Sequence, residues 1–295
     1  MKIKCPKCSV PLRRSEKYRK TIVKSGSFYR QSDRKHVQRF ICRKCNVHFS
    51  VATLSPCYRQ KKRQFNHRIA RLLVAEVSQR ECGRIYQINR KTVVRKFVFM
   101  GERAKQKLLD INRHKKIQTM EFDDMETFEH SKCKPLSITL AVESKTRWIL
   151  GFEVSQMPAK GLLARIAVKK YGFREDHRSE GRKKLFGRIQ RQLLPGATIK
   201  SDQNPHYPSD VKRYFPGAIH LAYKGRDSCV VGQGELKKVG FDPIFSLNHT
   251  CATIRARANR LIRKTWCTTK KPESLSFHLA LVALHHNLNL RTSTA

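Results

Sequence analysis

The stretch Thr119–Glu129 reads T-M-E-F-D-D-M-E-T-F-E, and five acidic side chains occupy its last nine positions. The whole chain has 22 Asp and Glu against 63 Lys and Arg, which gives a formal net charge of +41. Apolar and polar residues alternate from Gln118 onward, a period typical of a β-strand. We therefore predict a short strand from Thr119 that ends in acid at Asp123. Clustered carboxylates repel one another unless a cation lies between them, so the stretch also predicts a divalent-metal site.

Further strands and helices are predicted on the C-terminal side of this acidic stretch. The predicted strands are Leu136–Val142, Trp148–Val154, Ala197–Asp202 and Ala218–Leu221, and the predicted helical regions are 160–194, 250–268 and 273–290. Strands followed by mixed strands and helices are typical of one layered domain rather than of repeats. The fold class that we predict for residues 118–295 is α/β, a mixed sheet with flanking helices.

Two of these strands end in an aspartate, Asp123 and Asp202. Neighbouring strands of one sheet can bring such carboxylates together, where they could hold two Mg²⁺ or Mn²⁺ ions about 4 Å apart, the arrangement used for displacement at phosphorus. If the first strand ends one residue later, Asp124 is the alternative first ligand. A lone Asp at a strand end is more often a turn or helix cap, so the pair carries the prediction.

The N-terminal region contains two C-x-x-C pairs, Cys5 with Cys8 and Cys42 with Cys45. Four thiolates in two close pairs are the ligand set of a closed, structural Zn²⁺ site. The 33 residues between the pairs are enough to form the strands of a zinc ribbon. We predict a zinc ribbon over residues 1–60.

Helical spacing follows in residues 61–117. Ser78–Glu81 has the pattern of a capping box, and Asn89 precedes a basic segment. A helix, a short helix and a basic helix in that order predict a helix-turn-helix, with residues 101–117 as a polar helix and linker. The residues that would face a DNA major groove are Arg90, Lys91, Thr92 and Arg95. The alternative is an ordinary helical pair with solvated charges.

Charge favours a polyanionic partner. Residues 1–120 contain 33 Lys and Arg and 6 Asp and Glu (+27), and residues 121–295 contain 30 and 16 (+14). The first segment is therefore the more basic, as expected of a nucleic-acid-binding arm. Ribosomal or membrane-surface basicity is the alternative. No run of about 18 apolar residues predicts a membrane span, and the N-terminus lacks the apolar stretch of a secretory signal.

Three segments resemble the DDE transposases of small bacterial insertion sequences. They are Phe122–Glu126 (F-D-D-M-E), Ser201–Tyr207 (S-D-Q-N-P-H-Y), and the region from Asn248-His249-Thr250 to Arg260–Thr265 (R-L-I-R-K-T). The resemblance extends over nearly the whole chain. It implies an RNase H-like catalytic core, over residues 118–295, behind a zinc ribbon and a helix-turn-helix. It also implies that Asp123 and Asp202 are catalytic metal ligands.

The third ligand of this family is most often Glu, whereas the matching position here is Asn248. An amide oxygen can bind Mg²⁺, although more weakly than a carboxylate. Glu235 is the rival catalytic residue, and Asn248 is preferred because it precedes the predicted helix. Arg255, seven residues after Asn248, would share its helical face and could contact a DNA phosphate.

The resemblance implies metal-dependent DNA end cleavage and strand transfer. The partners would be double-stranded DNA, both transposon ends and target, and further copies of the chain, because two DNA ends must meet. No membrane partner is expected, and the protein would be cytoplasmic and associated with the nucleoid. The alternative is a DNA-binding regulator or an inactive transposon relic, which Asn248 keeps open. A zinc-ribbon nuclease that never joins strands is the third possibility.

Overall fold

The computed structural model describes residues 3–12, 21–224, 241–261 and 268–293. The chain forms two compact units, Met1–Arg68 and Ile69–Ala295. Within the described ranges, no helix combines the length and the apolar character that crossing a membrane requires.

The Met1–Arg68 unit is built on an antiparallel sheet of three strands in the order β1-β2-β3. The strands are β1 (Ile22–Arg30), β2 (Lys35–Cys42) and β3 (Val47–Ser50). Phe40 and Phe49 stack across β2 and β3 and form, with Ile22, the apolar part of a small core. The rest of that buried core is cysteine. A core this small needs further support from a metal or disulfides.

Three helices follow in the order predicted: α1 (Phe65–Leu73), α2 (Gln79–Ile85) and α3 (Arg90–Asn112). The Ser78 hydroxyl accepts a hydrogen bond from the Glu81 N–H at 3.1 Å, which caps α2. The Asn89 side chain accepts one from the Lys91 N–H at 2.8 Å, which caps α3. Sequence-local caps therefore fix where both helices begin.

The polar helix predicted within residues 101–117 is not a separate element, because residues 101–112 continue α3 without a break. Helix α3 lies against the last helix, α8 (Pro272–Ser293). The two backbones approach so closely that a Cβ on Gly101 would lie 2.4 Å from the Cβ of Phe277. This packing makes α3 part of the same compact unit as the residues from 118 onward, whereas the sequence suggested separate regions at 61–117 and 118–295.

The Ile69–Ala295 unit is α/β, with a mixed five-stranded sheet in the order β6-β5-β4-β7-β8. The strands are β4 (Ile117–Phe128), β5 (Pro135–Glu143), β6 (Ile149–Gln156), β7 (Leu193–Asp202) and β8 (Ile219–Tyr223). Strands β4 to β6 form an antiparallel meander, and β7 and β8 add parallel strands beyond β4. The central strand β4 thus has an antiparallel neighbour, β5, on one side and a parallel neighbour, β7, on the other.

The prediction that the first strand ends at Asp123 was wrong. Strand β4 continues to Phe128, because its antiparallel pairing with β5 extends to Phe128 opposite Pro135. Its parallel pairing with β7 extends only as far as Glu121 opposite Lys200. Asp123 therefore lies inside a strand, just beyond the paired part of the parallel side.

Helices flank the sheet: α4 (Leu163–Tyr171), α5 (Arg178–Ile189), α6 (Tyr207–Tyr214) and α7 (Phe245–Arg257). Phe122 of β4 makes ring contacts with Phe186 of α5 at 5.1 Å and with Tyr207 of α6 at 4.7 Å. These fully buried rings anchor α5 and α6 to the central strand.

Helix α7 begins at Phe245, earlier than the predicted start at residue 250. Asn248 consequently lies in the first turn of the helix and does not precede it. The Asp242 carboxylate accepts hydrogen bonds from the Ile244 N–H and from the Asn248 amide, at 3.1 and 2.9 Å, and so stabilises this early start.

Candidate active site

Asp123 and Asp202 lie on the neighbouring parallel strands β4 and β7. The register of the two strands pairs Thr119 with Thr198 and Glu121 with Lys200. Continuing that register by two residues brings Asp123 level with Asp202. A fixed strand register thus carries two residues that are 79 positions apart in the chain to the same height on the sheet.

Each of these two carboxylates is held by nearby donors. Asp123 Oδ1 accepts from the Tyr207 hydroxyl at 3.2 Å and from the Asp124 N–H at 2.6 Å. Asp202 Oδ1 accepts from the Asn204 N–H at 3.1 Å. Among the described residues, every hydrogen bond to these two carboxylates reaches Oδ1. Within the described ranges, both Oδ2 atoms therefore have no hydrogen-bond partner and could accept a cation.

Burial and the neighbouring carboxylates both disfavour the charged forms of the two aspartates. Burial raises the pKa of Asp123 to about 7, and the charges of Asp202 and Asp124 add to this against the hydrogen bonds from Asp124 and Tyr207. Burial also raises the pKa of Asp202, with the Asp124 charge adding to it. A bound divalent cation would favour the charged forms, and carboxylate oxygens are the hard donors that Mg²⁺ or Mn²⁺ prefers.

Asp124, the alternative first ligand, points to the other face of β4. Its carboxylate accepts a hydrogen bond from the Thr139 hydroxyl and forms an ion pair with Arg182 at 3.2 Å. The Arg182 guanidinium also binds Asp210 at 2.5 Å, and its side chain is only 5% exposed. Both oxygens of Asp124 are thus engaged by protein groups, which favours Asp123 as the metal ligand.

Arg182 was not identified from the sequence, and Tyr207 was noted only as the last residue of the segment Ser201–Tyr207, with no role assigned to it. Arg182 occupies a core position of α5, in register with Leu185, Phe186 and Ile189 at helical spacing. A single arginine on an otherwise apolar helix face could have indicated a buried ion pair, since a buried cation requires an anionic partner. The Arg182 guanidinium lies over the Tyr207 ring, 5.5 Å from its centre. Tyr207 donates to Asp123 and Arg182 pairs with Asp124, so the two side chains together hold these neighbouring carboxylates.

Glu121 is another acid whose role was not predicted. Its side chain is buried, and its carboxylate accepts hydrogen bonds from the Leu247 N–H at 2.8 Å and the Ser144 hydroxyl at 2.5 Å. The first of these donors lies in the first turn of α7, where N–H groups have no partner within the helix. Glu121 therefore attaches α7 to the sheet two residues before Asp123.

Helix α7 turns one face toward the aspartates. Burial raises the pKa of the Cys251 thiol to about 12, the Arg255 charge opposes that rise and the Asp123 charge adds to it. Cys251 thus lies within range of both charges. Asn248 and Arg255 are three residues before and four after Cys251, so they share this face. Asn248 itself is exposed and donates its amide to Asp242.

Glu235, the rival for the third position, lies outside the described residues, as do residues 262–267 of the basic C-terminal segment.

The four predicted cysteine ligands come together in the Met1–Arg68 unit. Cys5 and Cys45 have their sulfurs 3.4 Å apart, Cys8 and Cys42 have theirs 3.5 Å apart, and all four lie within 4.8 Å of one another. A tetrahedral zinc with bonds of about 2.3 Å needs sulfurs about 3.8 Å apart, so the cluster fits a structural metal such as zinc. In the described ranges, no other group of three or more Cys, His, Asp or Glu residues meets this distance.

The residues predicted to contact DNA lie at the start of α3. Arg90, Lys91 and Arg95 are exposed and Thr92 is half-buried, while Val93 and Phe97 face inward. Gly83 of α2 allows the turn between α2 and α3 to lie close to α2, since a Cβ at Gly83 would lie 3.1 Å from the Ile88 carbonyl oxygen. The basic side chains are therefore presented outward on a helix fixed from behind.

Comparison with known proteins adds no relative to these observations. No protein-family model matches the sequence, and none of the curated proteins matches it.

Proposed function

We propose that the protein is a metal-dependent DNA transposase with an RNase H-like core, which cleaves DNA ends and transfers strands. The observation that carries the proposal is the pairing of Asp123 and Asp202 at one height on adjacent parallel strands, with open Oδ2 atoms. The mixed sheet order and the resemblance of residues 122–126 and 201–207 support the same reading.

In this proposal Asp123 and Asp202 hold Mg²⁺ or Mn²⁺, and Asn248 completes the site from α7. The bound metal would activate the attacking hydroxyl and stabilise the leaving oxygen. Tyr207 and the Asn204 N–H keep the two carboxylates oriented. Arg255 would contact a DNA phosphate, while Arg90, Lys91, Thr92 and Arg95 bind the duplex in its major groove.

The reaction is an in-line displacement at a DNA phosphorus. The oxygen of a water, or later of a 3′-hydroxyl, forms a bond to phosphorus while the bond to the leaving oxygen breaks. The attacking hydroxyl loses its proton and the leaving oxygen gains one. No covalent bond between protein and DNA is needed. Copies of the chain would assemble around two DNA ends.

Binding without cutting is the second candidate function, that of a DNA-binding regulator or an inactive relic. The observation that favours it is the hydrogen bond from the Asn248 amide to Asp242, which holds the third ligand in a contact outside the aspartate pair. A metal at Asp123 and Asp202 would have to draw the Asn248 amide away from that contact.

The test is cleavage of labelled duplexes drawn from the DNA that flanks the coding sequence, with Mg²⁺ or Mn²⁺. The proposal predicts that wild type cuts and that Asp202→Asn does not. Glu126→Gln is the matched control, because Glu126 lies on the same strand, is exposed and pairs with Lys160 at 2.5 Å; it should cut like wild type. Equal duplex binding by all three proteins, with no cleavage by any, would support the regulator instead. Cleavage without strand-transfer products would indicate a nuclease.

A further inference from the structure

The Met1–Arg68 unit contains a cavity that the proposed active site does not use. Its volume is about 530 Å³, within the usual range for small-molecule sites. Strands β1 to β3 contribute Phe28, Arg39 and His48 to its lining, and the segment that follows β3 contributes Tyr58 and Arg59. The cavity is therefore a concave site formed by the ribbon sheet and the chain that leaves it.

The lining combines aromatic rings with guanidinium groups. Arg39 lies over the Phe28 ring at 5.0 Å, and Arg59 lies over the Tyr58 ring at 5.4 Å. Tyr58 is 47% exposed, so much of its surface is open to solvent. Flat aromatic and guanidinium surfaces are what nucleic-acid bases stack on.

The charge of the cavity is positive and only partly balanced. Asp33 forms ion pairs with Arg30 at 2.5 Å and with Arg63 at 3.3 Å. Arg39 and Arg59, in contrast, have no carboxylate partner in the part of the chain that the structure describes. Two guanidiniums that have no carboxylate partner among the described residues, beside the half-exposed Tyr58 ring, would attract a phosphate next to an aromatic base.

The backbone beside Tyr58 adopts an unusual conformation. Arg59 and Lys62 have φ values of 60° and 52°, in the left-handed region that residues other than glycine seldom occupy. This local geometry places the Tyr58 and Arg59 side chains together on the cavity wall.

We propose that the cavity binds an unpaired nucleotide of DNA. The base stacks on Tyr58 or Phe28, and the adjoining phosphates contact Arg39 and Arg59. A paired base cannot enter, because its faces are covered by its neighbours in the duplex. The choice of DNA as the polymer rests on the proposed function, whereas the pairing of rings and cations does not.

The experiment measures binding of the full-length, zinc-loaded chain to two labelled DNA hairpins with the same duplex. One hairpin is blunt and the other has a short single-stranded overhang. The proposal predicts tighter binding of the overhang. Tyr58→Ala should remove that preference, a loss of about tenfold given the contribution of one stacked base, and Tyr58→Phe should retain it.

Tyr29→Ala is the matched control, because Tyr29 is 50% exposed in the same unit and does not line the cavity. It should bind both hairpins like wild type, and Arg39→Gln should weaken the overhang more than the blunt hairpin. Bound zinc and circular dichroism show that each variant has folded.

Equal affinity of wild type for the two hairpins would overturn the proposed nucleotide site while leaving duplex binding intact. A Tyr29→Ala loss as large as that of Tyr58→Ala would overturn it too. No binding to either hairpin would reject the site as well, and the cleavage experiment, which uses different variants, would judge the transposase proposal separately.

Discussion

The cysteine cluster, which fits a structural metal, and the aspartate pair, for which we propose a metal, are assembled by the chain in opposite ways. Cys5 and Cys8, like Cys42 and Cys45, are close in sequence, and each pair sits in a tight turn. Asp123 and Asp202 come from separate strands of a sheet. The first set depends on local turns, whereas the second depends on a complete core.

The two turns of the cysteine cluster have the same local design. Ser9 follows Cys8 with φ 56°, and Asn46 follows Cys45 with φ 52°, so the residue after each second cysteine is left-handed. Burial raises the pKa of the Cys5 thiol, but backbone hydrogen bonds from Cys8 and Lys7 and bonds with the Cys45 and Cys8 thiols lower it to about 6. In the other turn, burial and the Cys5, Cys42 and Cys8 thiols raise the pKa of Cys45 to about 12, against a backbone hydrogen bond from Val47. The cluster therefore favours the thiolate at Cys5, and a bound metal would be needed to ionise Cys45 as well.

The comparison teaches where each metal matters. The Met1–Arg68 unit buries few apolar side chains, so we expect its fold to depend on a metal held by the four cysteines. The sheet unit has a large core, with Phe122, Phe186 and Tyr207 at its centre, so we expect it to fold without a cation at the aspartate pair. Under the proposed function, a metal at that pair would serve chemistry and not stability.

The largest expected effect is from breaking the cysteine cluster. Cys42→Ser should release the metal and unfold residues 22–50, because that unit has little else to hold it. Residues 69–224 should remain folded. Zinc content and hydrogen exchange along the chain measure both outcomes.

Cys57→Ser is the matched control, since Cys57 is a half-buried free cysteine of the same unit outside the cluster. It should retain zinc and protection. Retained protection of residues 22–50 in Cys42→Ser would show that the apolar core suffices without the ion.

The next largest effect is expected from Arg182→Leu, which leaves Asp124 and Asp210 buried without their cation. Removing one partner of a buried ion pair costs about 3–5 kcal/mol in the free energy of unfolding. Arg178→Gln breaks a more exposed pair with Asp176 and should cost about 1 kcal/mol or less. Urea unfolding, monitored by signals from the sheet unit, compares the two. Equal losses would mean that Arg182 is not the cation on which this unit depends.

A smaller effect concerns pH and His278 of α8. The ring is buried and its Nε2–H donates to the Leu73 carbonyl at 2.9 Å, while burial lowers its pKa from 6.5 to about 4. The neutral ring is the stable form, so its contribution is complete above pH 6.5 and is lost as the pH falls toward 4. Between pH 7 and pH 5 the loss is about 2 kcal/mol.

The measurement is the free energy of unfolding of the sheet unit at both pH values. His278→Gln should show a pH dependence smaller by that amount, and His67→Gln, which alters an exposed histidine, should behave like wild type. The same slope in His278→Gln and wild type would place the acid-sensitive group elsewhere.

Local patterns in the sequence predicted a substantial part of this structure. The cysteine spacing predicted the ligand cluster, and Ser78 and Asn89 marked where α2 and α3 begin. Alternation of apolar residues predicted every strand of the mixed sheet, although not where each strand ends. The positions of Asp123 and Asp202 at or near predicted strand ends suggested that the two carboxylates lie close together.

The parts that were missed depend on contacts between distant segments. Strand β4 continues past Asp123 because β5 pairs with it, and α3 continues to Asn112 because α8 packs along it. Arg182 binds Asp124, and Glu121 binds the N-terminal turn of α7, through helices that dock on the sheet. No spacing within one segment contains that information.

Cation binding tests the central claim, a metal centre at Asp123 and Asp202, most directly. Titration of Mn²⁺ into the zinc-loaded chain, followed by electron paramagnetic resonance, counts bound ions without needing a DNA substrate. Wild type and Glu126→Gln should bind Mn²⁺, and Asp123→Asn and Asp202→Asn should each lose most of the affinity while keeping their zinc. Undiminished Mn²⁺ binding by both aspartate variants would contradict the claim.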